Sequence, residues 1–200
     1  MQAQATKSNI TLKGSTEIVS EFFGYSINSI LYQRGIYPPE DFSPISKYGL
    51  QMLVTKDEGL KKYLSQVLSK VSDWLMQKLI QKLVVVVASV GTGEVLERWV
   101  FDIEVDKDVG ADSGAKEKDV KVIHNEIQAI IRQITASVTY LPLLEEPCTF
   151  DLLVYTSRDT QVPVAWEESD PKFIINSEEV RLRSFTTKVH KVDTLVAYKA

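Results

Sequence analysis

Cysteine is nearly missing from this chain. Cys148 stands alone among 200 residues, so no internal disulfide can form, and a reducing setting, nucleus or cytoplasm, is expected. Histidine is almost as scarce: His124 and His190 make no His-x-x-x-His pair, and no second cysteine completes a zinc site, so no metal and no cofactor are expected. Long apolar runs are lacking; the longest, residues 83–88, is far too short to span a membrane. The first nine residues are polar and carry no apolar leader segment. No block of five or six cations occurs, and the net charge is −4 with a pI near 5.3. Neither nucleic acid nor an anionic membrane surface is therefore an expected partner. No repeat period appears, which excludes solenoids and propellers.

What is present is the composition of an ordinary globular domain, 44% hydrophobic and 25% charged. Ser15 is placed to cap a helix from residue 16 to about residue 34, with Ile18, Phe22, Ile27, Ile30 and Leu31 at helical spacings. Gly35 and Pro38-Pro39 stop it. Thr55-Lys56-Asp57-Glu58 reads as a capping box for a second helix, whose stripe is Leu60, Leu64, Val67, Leu68, Val71 and Leu75. Residues 82–89 form a continuously apolar strand that turns at Gly91-Thr92-Gly93 into a second strand, residues 94–105. Residues 106–119 read as a charged loop. A third helix carries Val120, Ile123, Ile127, Ile130, Ile131, Ile134 and Val138 on one face and Asn125, Gln128, Arg132 and Gln133 on the other, and ends by Pro142. Residues 149–155 are another strand. Residues 156–179 are irregular, and residues 180–198, rich in β-branched side chains, return to strand. Strands without regular βα alternation indicate an α+β fold, three helices packed on a mainly antiparallel sheet.

Catalytic chemistry is not visible. Gly91-Thr92-Gly93 lacks the Gly-Lys-Ser/Thr of a phosphate loop and is a turn. Cys148 opens an apolar strand and reads as a buried small hydrophobe; the acidic pairs at 145–146, 167–168 and 178–179 read as solvated surface. An enzyme using Cys148 or His190 would need a nucleophile–base signature that the chain lacks, so no enzyme is expected. Trp74 and Trp99 read as core. Trp166 is a large apolar anchor in an otherwise irregular segment and must pack on the body. Terminal strands on a long irregular lead can leave one sheet edge and pair with another, because any free edge supplies main-chain hydrogen bonds.

The blocks Phe22-Phe23, Asn28-Ser29-Ile30-Leu31-Tyr32-Gln33-Arg34-Gly35-Ile36-Tyr37-Pro38, Gly93-Glu94-Val95-Leu96-Glu97-Arg98-Trp99, Ile131-Arg132-Gln133-Ile134-Thr135 and Trp166-Glu167-Glu168-Ser169 resemble the HORMA-domain family, most closely its spindle-checkpoint branch. The resemblance implies one domain: a flexible tail over residues 1–9, a core over 10–155 and a mobile "safety belt" over 156–200. In an open form the terminal strands cover the edge offered by residues 149–155. In a closed form they cross to the opposite side of the sheet, and a partner's peptide pairs with the vacated edge under the belt. The implied peptide-binding residues are Phe150, Leu152, Val154, Tyr155 and Trp166. An open–closed self-dimer would use Arg132 and Gln133, with Arg34 and Glu97 as further candidates. Implied partners are a coiled-coil kinetochore checkpoint receptor, the cell-division-cycle activator of the anaphase-promoting complex, and a HORMA-like adaptor with an AAA-type ATPase that grips the tail. Localisation would be nuclear and cytoplasmic, and at the kinetochore in mitosis. The alternative within the family is the paralogue that acts in translesion DNA synthesis.

Overall fold

The apolar stripes do become helices on a sheet, in an arrangement that leaves one face of the sheet to something other than helix. The computed structural model describes residues 8–106 and 116–200. Its strands are β1 (Ser8–Ile10), β2 (Phe42–Lys47), β3 (Leu50–Thr55), β4 (Ile80–Ser89), β5 (Val95–Val105), β6 (Lys116–Lys118), β7 (Cys148–Thr156), β8 (Ser177–Thr186) and β9 (His190–Lys199). Its helices are α1 (Leu12–Gln33), α2 (Glu58–Met76) and α3 (Val120–Thr135).

α1 lies at the centre. Val19, Phe22, Phe23, Ile27, Ile30 and Leu31 are wholly buried, and Phe22 meets Phe101 and Phe185 edge-on at 5.7 and 4.8 Å. The helix starts earlier than its stripe. Thr11, not Ser15, is the cap, its hydroxyl accepting from the Gly14 N–H at 3.0 Å. Lys13 and Gly14 interrupt the apolar pattern without interrupting the helix, and Ser15 sits inside it, buried. Gly35 ends the helix at φ 65°, a left-handed conformation that glycine adopts without strain.

The expected capping box of α2 is also displaced. Asp57 caps, accepting from the Leu60 N–H at 2.7 Å, while Thr55 ends β3 and its hydroxyl accepts from the Asp57 N–H. An aspartate suits this end because its charge also meets the helix dipole. α3 ends sooner than expected. β-branched Thr135, Val138 and Thr139 disfavour helix, and the chain tightens into a 3-10 turn at Ala136–Thr139 with Val138 exposed.

The main sheet runs β7-β4-β5-β9-β8 and is antiparallel throughout. Leu83, Val85, Trp99, Phe101, Val192 and Val196 face the helices in the main core. Val84, Val86 and Val100 form a separate small cluster on the other face. Two hairpin-like ribbons complete the fold. β2 and β3 were not evident from the sequence; they turn at Tyr48 and Gly49, both at positive φ (53° and 70°), the requirement of a two-residue type I′ turn. β1 pairs with β6. The polar tail and the charged loop are thus both shorter than expected, because main-chain pairing needs no apolar pattern. Residues 1–7 and 107–115 of those two segments lie outside the described residues.

Candidate functional site

β7 stands at one end of the sheet and pairs with β4 alone among the described strands. Its outward N–H and C=O groups are those a further strand would need. Alternation places Leu152 and Val154 toward the helices and Leu153 and Tyr155 toward the opposite face, where they pack on the small valine cluster. The terminal strands, β8 and β9, have gone to the other end, where β9 pairs with β5 from Glu97↔Tyr198 to Val105↔His190. This is the strand placement that the resemblance implies for a closed form.

The segment between β7 and β8 has to travel from one edge to the other. It is tied at its start by Ser157, whose N–H and hydroxyl both donate to the Leu79 carbonyl at 2.9 and 3.2 Å. Trp166 then lies on the helical side, edge-on to Trp74 at 5.1 Å and 75°. Phe173 lies on the opposite face, its ring centre 4.7 Å from the guanidinium carbon of Arg98. Residues 167–172 therefore pass round the outer edge of β7. Strand and strap enclose a channel of about 550 Å³, with Leu152, Leu153, Val154 and Tyr155 on one wall and Trp166 and Pro171 on the other.

The walls are largely apolar, and the strap contributes Glu167, Glu168 and Asp170. A 2.9 Å pair with Lys172 holds the Asp170 carboxyl below its usual range. Of the expected peptide residues, Leu152, Val154, Tyr155 and Trp166 converge here. Phe150 does not; it packs between Tyr37 and Tyr63 at 6.2 and 6.1 Å. Pro171 and the acidic strap residues were not anticipated, since only the folded path of the strap brings them to the channel.

Comparison with protein families matches residues 15–190 to the HORMA domain. The chain belongs to the HORMA domain family. It is 62% identical over 197 residues to the mitotic spindle assembly checkpoint protein MAD2A of Dictyostelium discoideum, covering 98% of this chain and 97% of that protein. It is likewise 62% identical over 190 residues to the human MAD2A, covering 95% and 93%. Among solved structures it is similar to a chain of the crystal structure of the mitotic checkpoint complex, at TM-score 0.85 and 49% identity, covering 94% of this chain and 99% of that one. C. elegans HTP-2 bound to the HIM-3 closure motif shares the fold at TM-score 0.78 and 14% identity, over 95% and 92%.

Within the HORMA fold, the other predicted residues fall in different environments. Arg132 is exposed on α3. Gln133 beside it is half-buried, and its Oε1 accepts from the Arg183 N–H of β8 at 2.7 Å. Arg34 and Glu97 are not on a surface. They form a 2.5 Å ion pair with both side chains 2% exposed, Arg34 also donating to the Pro142 carbonyl and Trp99 Nε1 to Glu97. Two charges 63 positions apart give no sequence sign that they neutralise each other inside the protein.

Cys148 and His190 are far from meeting, since β4 and β5 lie between their strands. Cys148 is half-buried rather than core, and burial, then Glu146, raises its thiol pKa, which disfavours the reactive thiolate. His190 is buried, its Nδ1 2.6 Å from the Ser15 hydroxyl. Burial, with the Lys78 charge second, pushes its pKa down to about 4.

Proposed function

We propose that this HORMA protein acts in the mitotic spindle checkpoint as a peptide-binding conformational switch, a binding protein and not an enzyme. The observation that carries this reading is the edge of β7 that no other described strand occupies, facing an arched strap across a channel of about 550 Å³, with the terminal strands lodged at the opposite edge. A guest peptide adds a strand to β7, its alternate side chains entering the apolar walls and its main chain supplying the affinity. Because the strap closes over the guest, dissociation requires the strap to lift, and complexes are long-lived. The guests are segments of the coiled-coil kinetochore receptor and of the activator of the anaphase-promoting complex; holding the activator delays anaphase. The protein works at the kinetochore in mitosis. Open and closed copies pair through Arg132 and Gln133, and an AAA-type ATPase with a HORMA-like adaptor reopens the closed form by gripping residues 1–9.

The names of the relatives and the likeness to the checkpoint complex support the checkpoint role over the translesion alternative. Anion-exchange chromatography tests the switch. Two slowly interconverting peaks are expected, one of which takes over the whole population when a peptide from the activator's binding segment is added. A single peak that the peptide leaves in place overturns it.

A further inference from the structure

Arg98 occupies an unusual place for an arginine. It is on the central strand β5, on the face away from the helices, and only 7% exposed. Its row neighbours in the sheet are Val86 and Ala197, neither of which solvates a charge. Among the described residues its Nε finds no hydrogen-bond partner, and the Tyr155 hydroxyl lies at the limit of contact, 3.5 Å from Nη2. What covers it is Phe173, stacked at 4.7 Å. A buried cation without a carboxylate is costly, and an aromatic face is one of the few groups that offsets part of that cost.

Three of the strap's contacts with the body differ in quality. At the start, Ser157 is held by two hydrogen bonds to the Leu79 carbonyl. In the middle, Trp166 rests on Trp74, itself 2% exposed and also covered by Lys70. At the far end, Phe173 meets Arg98 while remaining 72% exposed. A guest leaving β7 sideways must lift residues 167–172, the stretch between the last two attachments. The Phe173 contact is the more open to water, and breaking it lets water reach the unsatisfied Nε of Arg98. Opening there is therefore helped by hydration of the cation, whereas opening at Trp166 exposes only apolar surface.

We propose that Arg98 and Phe173 form a clasp that sets the dwell time of a peptide under the strap, and that the strap opens from this end. The proposal rests on the channel being the peptide site. Tyr155 joins the two, since it lines the channel and touches Arg98, so an occupant that moves the Tyr155 ring also moves the clasp.

The test uses the full chain and a fluorescent peptide from the activator's binding segment. Preformed complex is diluted into excess unlabelled peptide and dissociation is followed. Phe173→Ala, a change at an exposed position, should release the peptide about tenfold faster, and Arg98→Met by a similar factor. The double variant should be no faster than the quicker single, because both remove one interaction. Arg98→Lys, which keeps the charge without the flat guanidinium, should fall between. Ile175→Ala, an exposed apolar change two residues along, should leave the rate alone. Wild-type rates in Phe173→Ala, or multiplying effects in the double variant, overturn the clasp. If the wild-type protein captures no peptide, the channel reading fails and not the clasp. The clasp is then read from amide hydrogen exchange over residues 167–172, which Phe173→Ala should accelerate and Ile175→Ala should not; equal exchange in the two overturns it.

Discussion

β4 and β7 are neighbours in one sheet, paired from Ile80↔Thr156 to Ser89↔Cys148, yet they are built for different ends. From Leu83 to Val87 every residue of β4 is buried, with strands on both sides, helices on one face and a valine cluster on the other. No residue of β7 is fully buried, and its apolar positions are all half-covered. The two share a stretch of similar kind: Leu83–Val87 in β4 and Leu152–Val154 in β7 are all Leu and Val. What differs is what lies alongside. The lesson is that a sheet can have a permanent middle and a negotiable edge made from the same residues. The negotiable edge is recognised by incomplete burial on a strand apolar enough to be core.

The sharpest way to break that contrast is to cut the same aromatic cluster from two directions. Phe22 belongs to α1 and Phe185 to β8, and their rings touch at 4.8 Å. Either change to Ala removes a fully buried ring, a loss of about 3–5 kcal/mol. The consequences should differ. Phe22→Ala weakens the body in any arrangement and should lower the thermal midpoint by many degrees. Phe185→Ala weakens only the state in which β8 lies here, so the protein should stay folded while the chromatographic peaks shift toward the open form, by a hundredfold or more in ratio. Equal loss of melting temperature, with unchanged peaks, would mean that β8 never leaves.

A smaller effect comes from the turn joining the terminal strands. Ser15 of α1 bridges the Thr187 hydroxyl at 2.5 Å and His190 Nδ1 at 2.6 Å, all three buried. His190 titrates near 4 when folded against 6.5 for an exposed histidine. A depressed histidine pKa favours the fold when the ring is neutral. This contribution, about 3 kcal/mol, is complete above pH 6.5 and disappears as the pH falls from there to 4. Urea titrations of wild type and His190→Gln should converge across that window and run parallel above it. Parallel behaviour throughout would show that the ring is not held neutral by its burial.

The reason some of this was legible in sequence and some not lies in the range of the forces. The run at residues 83–87, the turn at Gly93 and the isoleucine stripe of α3 are local patterns, and each gave its element directly. Trp166 was legible as an anchor because a lone large ring in a polar stretch has nowhere else to go, though its partner Trp74 was not. β1 and β6 are joined by main-chain pairing between distant positions, Ser8↔Lys118, Asn9↔Glu117 and Ile10↔Lys116, with no side-chain pattern to announce either strand. Pro44 disguised β2, and the positive φ of Tyr48 is not what its side chain suggests. The Arg34–Glu97 pair looked like surface because charge usually is; only the fold shows that it is sealed by Trp99 and Pro142. The channel was legible as a strand that needs a partner, but its far wall and the Arg98–Phe173 contact depend on a path that composition cannot dictate.

The least disruptive change should have the most specific outcome. Arg132 is exposed on α3, so Arg132→Glu should alter stability by no more than about 0.5 kcal/mol. Its neighbour Gln133 is different, because the Gln133 side chain accepts from the Arg183 N–H where the β8–β9 register shifts between Arg181 and Ser184. A change at Gln133 therefore disturbs β8 as well as any partner surface, and only Arg132 separates assembly from conformation. Arg132→Glu should elute as a monomer in size-exclusion chromatography at concentrations where the wild type pairs, and should still capture the activator peptide at the wild-type rate. A dimer of the variant would remove Arg132 from the interface. A monomer that has also lost peptide capture would mean that α3 and the β7 edge, on opposite flanks of the molecule, are not separable.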